Sequence, residues 1–192
     1  LINATFKCAA KLFGLEFSPL DIPLYHEDCR AWTVSRKGKS IAVFIGDYFS
    51  RPSKRSGAWC SAMRSQAKFP NEQIPIVLNV CNFSRLDNAV LSFEDARTLF
   101  HEFGHALHQI LSDVTYDIIS GTSVARDFVE LPSQLFEHWL EVPEVLKEFA
   151  RHCETGETLP EEMLSSILEA STFDMGFQTI EYLASAFVDL YL

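Results

Sequence analysis

The stretch "FHEFGHALHQ", Phe100 to Gln109, places three histidines and a glutamate inside an apolar segment. Wound at about 100° per residue, positions 93–111 sort into two faces. Ala96, Phe100, Phe103, Leu107, Ile110 and Leu111 form one apolar stripe, and Thr98, His101, Glu102, His105, His108, Gln109 and Ser112 lie opposite it. Ser92, followed three residues later by Asp95, supplies a capping-box start. Such a helix must bury its apolar side against a core, so its histidines face either bulk water or a cleft.

The spacing points to a cleft. His101 and His105 stand at i and i+4, one turn apart, so two imidazole nitrogens can converge on one cation at roughly 2 Å each. Glu102 sits beside that pair rather than in line with it. This is the HExxH arrangement, in which zinc lowers the pKa of a water toward about 7 and the glutamate takes its proton. Gly104, between the histidines, leaves a bare position where another backbone can press close; otherwise it only weakens the helix. His108 lies on the same side, and a His105–His108 pair is sterically conceivable. The i, i+4 pair with its glutamate accounts for more residues, so His108 reads as a group lining the cleft or supporting a ligand.

A catalytic zinc site needs a third protein ligand and one open position. The downstream candidates are Asp113, Asp117, Asp127, Glu130, Glu137 and His138. Asp113 and Asp117 follow too closely to fold back onto the metal. Asp127 suits a helix N-terminus, which leaves Glu130 for the ligand role, with Glu137 and His138 as open alternatives.

Around this helix the chain reads as α+β and mainly helical, one domain over 1–192 with no internal repeat. "NATFKCAAKLFG" is a short amphipathic helix with Phe6, Ala9, Ala10 and Phe13 on its apolar side, closed by Gly14. "AWTVSR" and "SIAVFIGDYF" flank "KGK" as a hairpin. "IPIVLNVCNF" is a β-branched run typical of a strand. "TSVARDFVELPSQLFEHWL" reads helical, with Pro132 confining its early turns. "LPEEMLSSILEA" opens with a helix-starting Pro and two glutamates, and the last segment stripes Ile180, Leu183, Phe187 and Leu190. The basic loop Arg51, Lys54, Arg55 is either a solvated hairpin end or an anchor for a substrate carboxylate.

A net charge of −10 argues against nucleic acid as a partner. The longest apolar run, "IAVFI", is too short for a membrane. Five scattered cysteines without a CxxC read as free thiols in a reducing compartment, and a cytoplasmic location is expected, although a targeting signal could precede Leu1.

"LFHEFGHALHQIL" followed by "SGTSVARDFVELPSQLFEHW" resembles the thimet oligopeptidase family of zinc metallopeptidases. The resemblance runs from "YHEDCRAWTV" and "KRSGAW" through "PIVLNVCNFS" to the last residues, and its wording is most similar to dipeptidyl carboxypeptidases. It implies that His101, His105 and Glu130 ligate one Zn2+ and that Glu102 is the catalytic base. It also implies a zincin-like core, with a small sheet and the HExxH helix packed against a second helix that carries the third ligand. The substrates implied are short peptides admitted through a channel, with "IPIVLNV" lining the cleft and pairing with extended substrate. Members of the family continue past Leu192 into a segment whose histidine and tyrosines are implied to stabilise the oxyanion. The chain is thus expected to be a fragment of a catalytic region: a peptidase or, alternatively, a catalytically incomplete metal-binding or interaction module.

Overall fold

A computed structural model describes residues 1–85, 91–152, 154–170 and 172–192. They form two compact units, Leu1–Val142 and Pro143–Leu192. The first opens with helix α1 (Ile2–Phe13), stopped by Gly14 in the left-handed conformation at φ 66°. Its buried stripe is Ala4, Thr5, Cys8 and Ala9, with Phe6 half-buried beside it, while Ala10, placed on that stripe by the sequence pattern, is exposed. Five strands follow: β1 (Leu15–Leu20), β2 (Arg30–Arg36), β3 (Lys39–Phe49), β4 (Trp59–Arg64) and β5 (Ile76–Phe83). They make one sheet in the order β1-β2-β3-β5-β4, antiparallel except between β3 and β5.

The β2–β3 hairpin turns through Lys37 and Gly38, both at positive φ (52° and 76°), the geometry that matches the right-handed twist of the strands it joins. Helix α2 (Phe93–Ile110) starts on the Ser92–Asp95 capping box and packs on β3, β4 and β5. The core forms where Phe6, Phe17, Trp32, Phe44 and Phe103 meet. Phe6 stacks on Phe17 at 4.0 Å, and Phe44 meets Phe103 edge-on at 5.3 Å. These rings join α1, the sheet and the apolar face of α2. Offset and edge-on contacts of this kind add about 0.5–1.5 kcal/mol per pair beyond area burial.

Downstream of α2 the structure differs from the sequence pattern. The helix expected from Thr122 begins only at Leu131, as α3 (Leu131–Glu137), and residues before it form turns. Pro132 sits in its first turn, where a missing N–H costs nothing and the fixed φ favours a start. Glu130 is therefore the N-cap residue rather than a position inside the helix, and Asp127 plays no capping part. A 3-10 turn, His138–Glu141, closes this unit. The second unit holds α4 (Pro143–Phe149), α5 (Glu161–Ala170) and α6 (Met175–Tyr191). The α6 stripe of Ile180, Leu183, Phe187 and Leu190 is exposed.

Cys8, Cys29, Cys60 and Cys81 are free thiols, while Cys153 lies outside the described residues. Among the described residues no helix is long and apolar enough to cross a membrane.

The loop from β3 to β4 is held by a buried ion cluster. Asp47, 1% exposed, accepts two hydrogen bonds from Arg51 at 2.8 Å, one from the Tyr25 hydroxyl at 2.8 Å and one from Lys54 at 3.1 Å. Lys54 also donates to the carbonyls of Phe49 and Cys81. Two of the three basic residues of this loop are thus consumed internally, so the loop is neither a solvated hairpin end nor, through Arg51 and Lys54, a substrate anchor. Arg55 alone of the three is exposed. Burial pushes the Asp47 carboxyl up, but the bonds from Arg51, Tyr25 and Lys54 outweigh it and hold its pKa at about 2. That is below the value of about 3.9 for an unfolded chain, so its contribution to stability is complete above about pH 4 and is lost as the pH falls toward 2. Replacing Asp47→Ala leaves Lys54 and Arg51 without their counter-charge and should cost about 3–5 kcal/mol, read as a lowered urea midpoint at pH 7.

Candidate metal centre

On α2 the polar face predicted from periodicity is not solvated. Glu102 and His105 are 7% and 8% exposed, Gln109 is 5%, and His101 is half-buried. His101, Glu102 and His105 look into a cavity of about 380 Å³ whose other walls come from Trp59 and Cys60 at the start of β4 and from Thr122, Val129 and Glu130. The cleft alternative therefore holds over the bulk-water one.

Gly104 determines how α3 approaches. A Cβ there would lie 2.6 Å from the Cα of Ser133, 2.9 Å from the carbonyl oxygen of Pro132 and 3.0 Å from the Cβ of Phe136. Only a bare position lets α3 seat this closely, and Phe136 then stacks against Phe100 beneath it at 5.6 Å. The seating brings Glu130, at the head of α3, over the histidines. Its Oε2 lies 3.2 Å from Nε2 of His101 and 3.1 Å from Nε2 of His105. Ser133, fully buried under Gly104, donates to that same carboxylate at 3.0 Å and to the Glu130 carbonyl at 2.8 Å, which fixes its direction.

His101 is held from behind by Glu137, whose Oε1 lies 2.5 Å from Nδ1. In the neutral ring this partner draws the proton to Nδ1, so the lone pair of Nε2 points at the Glu130 oxygen. Two lone pairs facing each other at 3.2 Å repel unless a cation lies between them. Burial pushes the His105 pKa down, against the opposing pull of Glu130, and so favours the neutral ring that a metal ligand requires. One donor atom from each of His101, His105 and Glu130 lies within 4.8 Å of the others, which suits a single divalent cation.

Glu102 does not join that trio. One of its carboxylate oxygens is buried without a partner. Burial pushes its pKa up to about 7; His101 opposes the shift and Glu130 adds to it. A bound dication would draw it back down. A carboxylate poised near neutrality is suited to take up and release a proton.

The other candidates fall elsewhere. Asp113 pairs with Lys68 at 2.8 Å on the surface, and Asp117 begins an exposed 3-10 turn. His138 begins the 3-10 turn after α3, and His108 packs on the ring of Phe128 at 6.0 Å; neither belongs to the trio. Glu137 supports a histidine instead of competing with Glu130. Seven residues separate the two glutamates, two helical turns, and that signal was readable in "ELPSQLFE". Nothing in the sequence marked Ser133. The strand expected to pair with a peptide, β5, is bonded on both edges by β3 and β4 and cannot do so. The free edge adjoining the cavity belongs to β4, which composition did not reveal as a strand.

Residues 2–192 match the model of Peptidase family M3. The chain is 40% identical over 195 residues to the dipeptidyl carboxypeptidase of Escherichia coli (strain K12), covering 99% of this chain and 28% of the relative. It is 37% identical over 205 residues to the organellar oligopeptidase A, chloroplastic/mitochondrial, of Arabidopsis thaliana, covering 100% of this chain and 26% of that protein. Against oligopeptidase A of Escherichia coli (strain K12) the identity is 32% over 199 residues, covering 100% and 29%. The chain thus spans less than a third of the length of these curated relatives.

Two substitutions test the arrangement through metal affinity in a competition titration against a chromogenic chelator. Glu137→Gln, which removes the anion that sets the His101 proton, should weaken metal binding about 10- to 100-fold. Gly104→Ala should weaken it at least as much by driving α3 outward, while the far-ultraviolet circular dichroism stays near that of the parent.

Proposed function

The chain belongs to Peptidase family M3, and on that premise we propose that it is the metal-bearing part of a zinc peptidase acting on short peptides. The observation that carries the reading is the convergence of His101 Nε2, His105 Nε2 and Glu130 Oε2 beside buried Glu102, one of whose carboxylate oxygens has no partner. Zinc is favoured among divalent cations because two imidazoles and one carboxylate with an open position form a familiar catalytic zinc set. When bound, the ion supplies Lewis-acid polarisation of a water and of the scissile carbonyl. Glu102 takes the proton of the attacking water and passes it to the departing amine, from a place in the cleft where one of its carboxylate oxygens has no protein partner. Glu137 keeps His101 in one tautomer, and Ser133 keeps the Glu130 carboxylate turned toward the histidines.

The extended peptide adds to the free edge of β4, in the mode by which a strand's unpaired backbone groups bind a chain of any sequence. That places the scissile bond beside Trp59 and Cys60, across from Glu102. Hydrolysis within oligopeptides and release of C-terminal dipeptides both fit this groove, and both kinds of enzyme occur among the relatives' names. A cytoplasmic site of action is part of the same reading.

Glu102→Gln keeps the shape of the side chain but removes the base. The zinc-loaded variant should retain one zinc per chain by atomic absorption and lose at least about a hundredfold in turnover of a fluorogenic peptide. Undiminished turnover in that variant removes Glu102 from the mechanism. Bound zinc with no turnover in either protein returns the chain to the non-catalytic metal-binding module.

A further inference from the structure

Beside the metal cavity lies a second cavity of about 260 Å³. Cys60 and Thr122 belong to both linings, so the two adjoin along one groove. No charged residue lines the second one. Its polar surface comes from Ser61, Ser65, Gln66, Gln109, Ser120 and Ser123.

The walls are fastened to one another. The Gln66 amide donates to the Val114 carbonyl at 3.1 Å, and the Val114 N–H donates back to Gln66 Oε1 at 2.8 Å. Gln109 Nε2 reaches Cys60 Sγ at 3.4 Å, which ties the end of α2 to β4. The Gly121 N–H at 3.0 Å and the Ser120 hydroxyl at 3.2 Å both donate to Ser112 Oγ, closing the loop that faces β4. Gln66, Gln109 and Ser120 are 7%, 5% and 7% exposed. This is a rigid pocket of hydroxyls and amides rather than a crease between loops.

Its position along β4 gives it a place in the reaction. That strand runs from Trp59, at the metal cavity, to Arg64, beside the second cavity. An added peptide pairs more stably when antiparallel, and so runs from the Arg64 end toward Trp59. Residues upstream of the scissile bond, on its acyl side, then lie against Ser61 to Ser65.

We propose that this cavity is the subsite for a side chain upstream of the scissile bond, and that it selects small neutral hydrogen-bonding side chains over charged ones. The inference rests on the peptidase reading and adds a specificity to it. A lysine or glutamate entering this pocket sheds its water and finds no opposite charge in the lining. A serine, threonine, asparagine or glutamine exchanges water for the hydroxyls of Ser61, Ser65 and Ser123, which the wall-to-wall bonds leave available. An aliphatic side chain displaces the water from those three hydroxyls without replacing its bonds, a loss that falls between the two.

The test uses the zinc-loaded protein and matched peptides that carry Ser, Gln, Lys or Glu at one upstream position, with the same series placed downstream. Upstream, kcat/KM should be on the order of tenfold or more higher for Ser and Gln than for Lys and Glu, and the downstream series should not reproduce that order. Ser123→Asp, at a residue that lines this cavity and not the metal cavity, should raise the Lys peptide relative to the Glu peptide at the upstream position. The same peptides are titrated calorimetrically into the zinc-loaded Glu102→Gln variant. Cleavage that is indifferent to upstream charge, or a preference found only downstream, overturns the subsite while leaving the peptidase standing. If nothing is cleaved but the variant binds neutral upstream peptides tenfold more tightly, the subsite stands and the peptidase reading falls. Absence of both binding and turnover overturns both.

Discussion

The site depends on one close approach, the seating of α3 against the bare Cα of Gly104. The third member of the trio, Glu130, is in place because of it. A helix pair with a side chain at that position would stand further apart, and Glu130 would lose its reach to the two Nε2 atoms. The cost of glycine in mid-helix, about 1 kcal/mol relative to alanine, is offset by the packing of Phe136 on Phe100 and Phe103 and by the capping box at Ser92. A local weakness in α2 is thus what lets the Glu130 carboxylate come within reach of both histidines.

The sheet contributes by burial. Because α2 lies across β3, β4 and β5, its histidine face looks into a cleft walled by the start of β4, and Glu102 is removed from water there. That removal raises its proton affinity toward neutrality, while the same desolvation keeps His105 uncharged. One environment has opposite consequences for an acid and a base, and both suit the chemistry proposed. The Asp47 cluster plays a supporting part: it fixes the loop that delivers Trp59 and Cys60 to the cleft wall.

What could be read in the sequence was what is encoded locally. The period of α2, its Ser92 start, the i, i+4 histidines, the Lys37–Gly38 turn and the β-branched run of β5 each depend on residues near one another in the chain. The strands β1 and β4 are weakly marked because "LEFSPL" alternates over only four residues before Pro19 and "WCSAMR" does not alternate, neither has β-branched density, and tertiary pairing makes them strands. The late start of α3 and the role of Ser133 depend on how α3 meets α2, which no period records. The β5 edge reads as open to a peptide for the same reason, since only the sheet order shows it filled by β4. His101, His105 and Glu130, which the motif and the family resemblance single out, are brought together in the structure, with Glu102 beside them. Glu137 was named for a different role from the one its contact with His101 gives it.

The most direct measurement of the central claim is anomalous scattering from crystals of the zinc-soaked protein, collected on both sides of the zinc absorption edge. The account requires a single strong peak between the Nε2 atoms of His101 and His105 and the carboxylate of Glu130, with Glu102 near it but not bound. A map with no peak there, or with the ion held by a different set of side chains, would contradict it.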